Sequence, residues 1–194
     1  DVYKRQAFSD IEELTTPGGG FVSKGTDLDG FGVEVVFGIE ELKNFSAETI
    51  PTNEGRVINR RNQMKRFLKG SSPRILRFAH CGLNAIDPLE SFNWYHEHLG
   101  LLASDKLFVG DPKDPATPLQ GIFSRLDKGA EPADHHTIFF LSAPMLSEGI
   151  PVMNHVSFEM FNIDDVFTGR EMLEANKEEF NYFQLESYDT SHLT

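Results

Sequence analysis

The sequence predicts an α+β fold built on a repeated unit, and three observations carry that expectation. From Arg74 to Ala143 a strand, a helix and three further strands follow one another. A strand and a helix then recur from Val152. Each copy also opens on a strand holding one histidine, FAHCGL and MNHVSF, followed by an acidic turn, AIDPLES and NIDDVFT. The second copy is cut short, so the repeat is incomplete.

Taken in order, DVYKRQ at residues 1–6 resembles translated adapter sequence and is left out of fold reasoning. Gly18 to Gly38 places turn residues, Asp27 to Gly30, between two runs rich in Phe and Val, which predicts a hairpin. Residues 39–72 hold Pro51 and a basic run (Arg56, Arg60, Arg61, Lys65, Arg66, Lys69), a connector with at most a short helix and a solvated or packing face. RILRFAHCGLNA is a strand. IDPLESFNWYHEHLG is a helix, with Asp87 as N-cap, Pro88 in its first position and Gly100 at its stop. Leu89, Phe92, Tyr95 and Leu99 fall at helical spacing and predict one packed face. LLASDKLFVGD, GIFSRLDKG and HHTIFFLSAP read as three strands, VMNHVSFEMF as a fourth, and NIDDVFTGREMLEANKEEF as a helix with Val166, Met172 and Leu173 on its apolar positions. The tail, YFQLESYDTSHLT, shows no structural ending, and the chain reads as a fragment.

The 194 residues, 39% hydrophobic and 25% charged, are enough for a packed core. A net charge of -12 argues against nucleic acid or an anionic membrane as the main partner, because both reward a basic surface. One cysteine, Cys81, excludes an internal disulfide framework and a cysteine-based zinc site, and fits a reducing cytoplasm. Without an apolar run near the roughly 18 residues of a membrane span, and without a visible signal peptide, the expected location is cytoplasmic.

MNHVSFEM raises the question of a metal site. Alternation sends His155, Ser157 and Glu159 to one face and Val156, Phe158 and Met160 to the other, as in a half-buried strand. At about 3.3 Å per residue, Glu159 lies roughly 13 Å from His155, too far to share an ion. His80 occupies the same point of the first copy, 75 residues earlier (155 minus 80). Opening strands of adjacent repeats can meet, so His80 and His155 could point into one cavity. Two imidazoles with one carboxylate form the ligand set of non-haem iron(II) oxygenases, and the carboxylate is expected on a later strand of the second repeat. In DHHTIFFL, a strand sends His135 and His136 to opposite faces, so at most one of them reaches such a cavity. Cys81 points away from His80 and reads as a small core residue.

RFAHCGLNAIDPLESFNWYHEHLGL, DHHTIFFL and MNHVSFEMFNIDDVFTGREML together resemble the catalytic half of a type I extradiol (catechol 2,3-type) dioxygenase of the vicinal oxygen chelate superfamily. DLDGFGVEVVFG and the basic connector resemble the end of that family's N-terminal half and its linker, so the resemblance covers about Gly18 to Phe180. It implies paired βαβββ modules, here incomplete at both ends: residues 1–48 a remnant of the N-terminal module, 49–72 the linker, and 73–194 the catalytic domain, with one complete module (73–143) and a truncated second (151–194). It further implies His80 and His155 as metal ligands, Fe(II) as cofactor with Mn(II) as the other candidate, and His136 as the acid/base histidine. The partners implied are a catechol-type substrate and dioxygen, and assembly as a homo-oligomer. The family's glutamate ligand belongs to a stretch after the second helix that the sequence lacks or scrambles from about Asn181, so the fragment is expected to hold iron weakly or not at all.

Two other readings fit the same pattern. A glyoxalase-type lyase or isomerase would use a divalent metal as Lewis acid without dioxygen, and a non-catalytic small-molecule-binding module would need neither metal nor histidines.

Overall fold

The computed structural model describes residues 7–41 and 72–176. They form β1 (Glu12–Glu13), β2 (Phe21–Thr26), β3 (Gly32–Phe37), β4 (Ile75–Ala85), α1 (Pro88–Leu99), β5 (Leu102–Phe108), β6 (Leu119–Arg125), β7 (Ile138–Ser142), β8 (Val152–Met160) and α2 (Ile163–Ala175). The predicted strand, helix and three strands are β4 to β7, and the restart is β8 and α2; the architecture is α+β. The basic connector at 42–71 and the tail from 177 lie outside the described residues. Among the described residues no helix is long and apolar enough to cross a membrane. Strands β1 to β3 form one sheet, and a five-stranded sheet runs in the order β5, β6, β7, β4, β8. The described residues fall into two compact units, 7–41 with Ala79–Ser157, and 72–78 with 158–176.

In the first unit β4 runs parallel to β7, so α1, β5 and β6 make the crossover between them, and β6 is antiparallel to both β5 and β7. Alternation along β4 turns Leu83 and Ala85 toward α1, where they meet Tyr95, Leu101 and Phe140 in the core, with Cys81 packed against it. Burial raises the Cys81 thiol pKa. The expected caps of α1 are present: Asp87 accepts from the Leu89 and Glu90 N–H groups, and Gly100 takes the left-handed conformation at φ 71° while donating to the His96 carbonyl. The helix face differs from expectation at Leu89, which is 40% exposed while Ser91 is buried.

The N-terminal hairpin explains that exchange. β2 and β3 pair antiparallel from Phe21↔Phe37 to Thr26↔Gly32, as predicted, with a short β1 added on the far edge of β2. At its turn, Asp27 Oδ1 accepts from the Asp29 and Phe31 N–H groups. The second Asp27 oxygen accepts from the Tyr95 hydroxyl at 2.8 Å, and Asp29 accepts from the Ile86 N–H at 3.0 Å and from Ser91 Oγ at 2.5 Å. Ser91 therefore faces the hairpin, and the polar turn takes the place a leucine would fill. Burial raises the Asp27 carboxyl above its ordinary range against the pull of these hydrogen bonds. Burial, then the neighbouring Asp27, pushes Tyr95 far above the usual phenol range, so it stays a donor.

In the second unit α2 starts at Asn162, whose side chain accepts from the Asp165 N–H. The sequence predicted an apolar face through Val166, Met172 and Leu173, yet the buried residues of α2 are Asp164, Asp165 and Thr168, and Met172 is exposed. The reason at Asp165 is Arg74, which donates to it from its backbone N–H, its Nε and, at 2.8 Å, its Nη2. The same hydrogen bonds hold the Asp165 carboxyl below its ordinary 3.8. A depressed carboxyl stabilises the fold fully above its unfolded pKa and ceases to do so as pH falls through its folded value. Asp165→Asn is therefore expected to lower the urea midpoint at pH 7, with the gap from the parent closing as pH falls below the ordinary carboxylate range; a gap independent of pH would contradict this. On β8 the apolar side expected to be buried is half-exposed, at 45% for Val156 and 50% for Phe158.

Candidate functional site

The side of β4 away from the core carries His80, Gly82 and Asn84, and β8 lies beside it in the sheet. This adjacency brings the two strand histidines together, with His80 Nε2 and His155 Nε2 3.0 Å apart and the rings perpendicular. Gly82 makes room for the contact. A Cβ at position 82 would stand 2.7 Å from both Cε1 and Nδ1 of His155.

His136 joins the pair, its ring centroid 4.2 Å from that of His80. Both His80 and His136 are buried, at 6% exposure each. The HH pair does not lie on a strand as expected: β7 begins at Ile138, and His135 and His136 occupy the bend before it. The bend is fastened where Thr137 donates to the Ser124 carbonyl and accepts from the Cys81 N–H, so ladder pairing starts one residue later. The two imidazoles still differ in exposure although they touch, with His135 Nδ1 3.1 Å from His136 Nδ1. His136 turns inward, whereas the His135 side chain is 54% exposed and lies 3.6 Å from Asp105.

Alternation on β7 sends Phe140 into the core and Phe139 toward the histidines. Phe139 stacks on Phe123 at 4.2 Å, and Phe123 lies 4.8 Å from His136. These two rings form an apolar wall beside the imidazoles. Glu159, set aside on distance, pairs with Arg77 at 2.6 Å.

Two nitrogens that bind one ion at right angles, each at about 2.1 Å, sit about 3.0 Å apart. The His80 and His155 separation of 3.0 Å fits that demand, and two imidazoles are a donor set that suits iron and its neighbours. Among the described residues no group of three His, Cys, Asp or Glu is placed to hold a metal.

Residues 77–181 match the model of the Glyoxalase/Bleomycin resistance protein/Dioxygenase superfamily, more than half of the chain. The chain belongs to this superfamily. No curated protein sequence matches it. Among solved structures, the Mn(II)-bound glyoxalase from Novosphingobium aromaticivorans is similar at 23% identity and a TM-score of 0.54, over 87% of this chain and 42% of that one. The 2,2',3-trihydroxybiphenyl 1,2-dioxygenase from Sphingomonas wittichii follows at 17% identity and 0.48, over 93% and 53%. Homoprotocatechuate 2,3-dioxygenase from Brevibacterium fuscum, complexed with 3,4-dihydroxyphenylacetate, gives 24% and 0.37, over 57% and 27%. The chain thus spans about half or less of the length of these proteins, and its likeness to the glyoxalase is one of fold.

Within this superfamily chain, sequence reasoning did not anticipate Gly82, Asn84, Asn154, Phe123 or Phe139 around the histidines. A signal existed for Gly82 alone, a glycine inside a strand, which marks close approach by another group.

Proposed function

We propose that this chain supplies the two imidazole ligands and the acid/base histidine of a type I extradiol dioxygenase, which opens a catechol-type ring with dioxygen. One observation carries the reading: a third imidazole, His136, lies against the His80 and His155 pair. Catechol cleavage must remove phenolic protons and return one, and a buried imidazole beside the ligand pair is suited to both steps.

In this reading His80 and His155 would hold Fe(II), or Mn(II) in its place, with a carboxylate outside the described residues as the third ligand. The bound ion would supply the redox chemistry joining an electron-rich ring to dioxygen. His136 accepts a phenolic proton as the catechol binds and returns it to the ring-opened semialdehyde, work suited to an imidazole. Both oxygen atoms end in the product, so no external reductant is required. Phe123 and Phe139 give the flat ring an apolar surface and keep water from the reacting face.

The test is anaerobic loading with Fe(II) in large excess, because two imidazoles without their carboxylate hold iron weakly, then addition of catechol and of air. Dioxygen uptake equal to semialdehyde formed is expected. His80→Ala and His155→Ala should fall to the metal-free level, and His136→Ala should keep the metal while lowering kcat by about 10²–10⁴. Metal-dependent turnover without dioxygen uptake would replace this reading by a lyase or isomerase, and ligand binding unaffected by loss of both histidines would replace it by a binding module.

A further inference from the structure

Neighbouring residues on a strand point to opposite faces, yet the Asn154 amide reaches the ring of the residue that follows it, with Oδ1 2.8 Å from His155 Nδ1. A second contact holds that amide in place: Asn154 Nδ2 donates to Asn84 Oδ1 at 3.0 Å. We propose that Asn154, oriented by Asn84, is a positioning residue that keeps the proton of neutral His155 on Nδ1 and the lone pair on Nε2. With the NH₂ group engaged by Asn84, the group facing His155 is a carbonyl oxygen, which only accepts. Nδ1 must then carry the hydrogen, and Nε2 presents its lone pair on the side of His80.

A metal binds imidazole through that lone pair, and a hydrogen bond at the other nitrogen decides which tautomer is ready for it. Asn84 lies four residues beyond His80 on β4, and Asn154 one residue before His155 on β8. Their hydrogen bond therefore ties together the two strands that carry the imidazoles, and sets ring orientation as well as tautomer. The metal part of this inference rests on the extradiol reading; the tautomer part does not.

The test uses the full chain labelled with ¹⁵N-histidine. In the metal-free protein, long-range proton–nitrogen correlation should show His155 protonated at Nδ1. Asn154→Ala should lose that preference and Asn154→Asp should restore it, since a carboxylate accepts from Nδ1 as the amide does. Mn(II) is then titrated, read as broadening of the His80 and His155 ring signals. Asn154→Ala should need about 10–100-fold more Mn(II) than the parent, and Asn154→Asp should not. A proton on Nε2 of parental His155, or a tautomer indifferent to Asn154→Ala, overturns the proposal. A tautomer that responds while Mn(II) broadens neither ring supports the positioning role and overturns the metal reading instead.

Discussion

Gly82→Ala is expected to separate His155 from His80 while leaving the chain folded. The added methyl would stand 2.7 Å from two atoms of the His155 ring, closer than unbonded carbon and nitrogen sit, and 3.4 Å from Asn154 Cβ, an ordinary contact. What must move is therefore the imidazole. Nδ1 is itself one of the crowded atoms, so relief displaces the ring from its 2.8 Å contact with Asn154 and from its place beside His80. Gly82 lies inside β4, paired with Phe139, where alanine meets no backbone obstacle. The cost in stability should be that of local overpacking, about 1–3 kcal/mol. Mn(II) affinity, read from the same ring signals, should fall by about 10–100-fold or more, as for a displaced ligand. Parental affinity in a folded Gly82→Ala protein would show that the 3.0 Å contact of the two rings is not what binds the ion.

The second large effect lies at the hairpin. Asp29→Ala should destabilise the first unit by about 1–3 kcal/mol, because it strands the part-buried Ile86 N–H, whereas Ser91 Oγ keeps the Asp87 carbonyl as acceptor. The residue is 7% exposed, and its two oxygens serve the Ile86 N–H at 3.0 Å and Ser91 Oγ at 2.5 Å. Asp29→Asn should be mild. Its carbonyl can still accept from Ile86, its NH₂ can donate to Ser91 Oγ, and Ser91 can donate to the Asp87 carbonyl, 3.0 Å away. Urea unfolding followed by the single tryptophan, Trp94 on α1, checks both variants. Equal losses for alanine and asparagine would mean that charge, rather than hydrogen bonding, holds the turn against the helix.

Much of the fold was legible because its signals are local. Asp87, Pro88 and Gly100 act within one helical turn of themselves, and turn residues between two Phe- and Val-rich runs announce the β2–β3 hairpin. The repeat placed His80 and His155 at equivalent points, and the histidines do meet. Local rules misled where distant partners intervene. Asp165 is buried on α2 because Arg74, 91 residues earlier, accompanies it, and Ser91 displaces Leu89 from the buried face because Asp29, 62 residues earlier, reaches it. The HH pair was read as strand because Ile138 to Leu141 is strand, but pairing with β4 begins only at Ile138.

From sequence alone follow the α+β class, the order of the elements and the pair of strand histidines, since each is written in spacing over a few residues. Tertiary structure settled the rest: the slot at Gly82, the amides of Asn84 and Asn154, the inward turn of His136, and the seating of Asp27 and Asp29 on α1. Apart from the neighbouring Asn154 and His155, these contacts join residues far apart in the chain. No periodicity records such a pairing, because it exists only once the sheet has brought β8 beside β4 and the hairpin has closed on the helix.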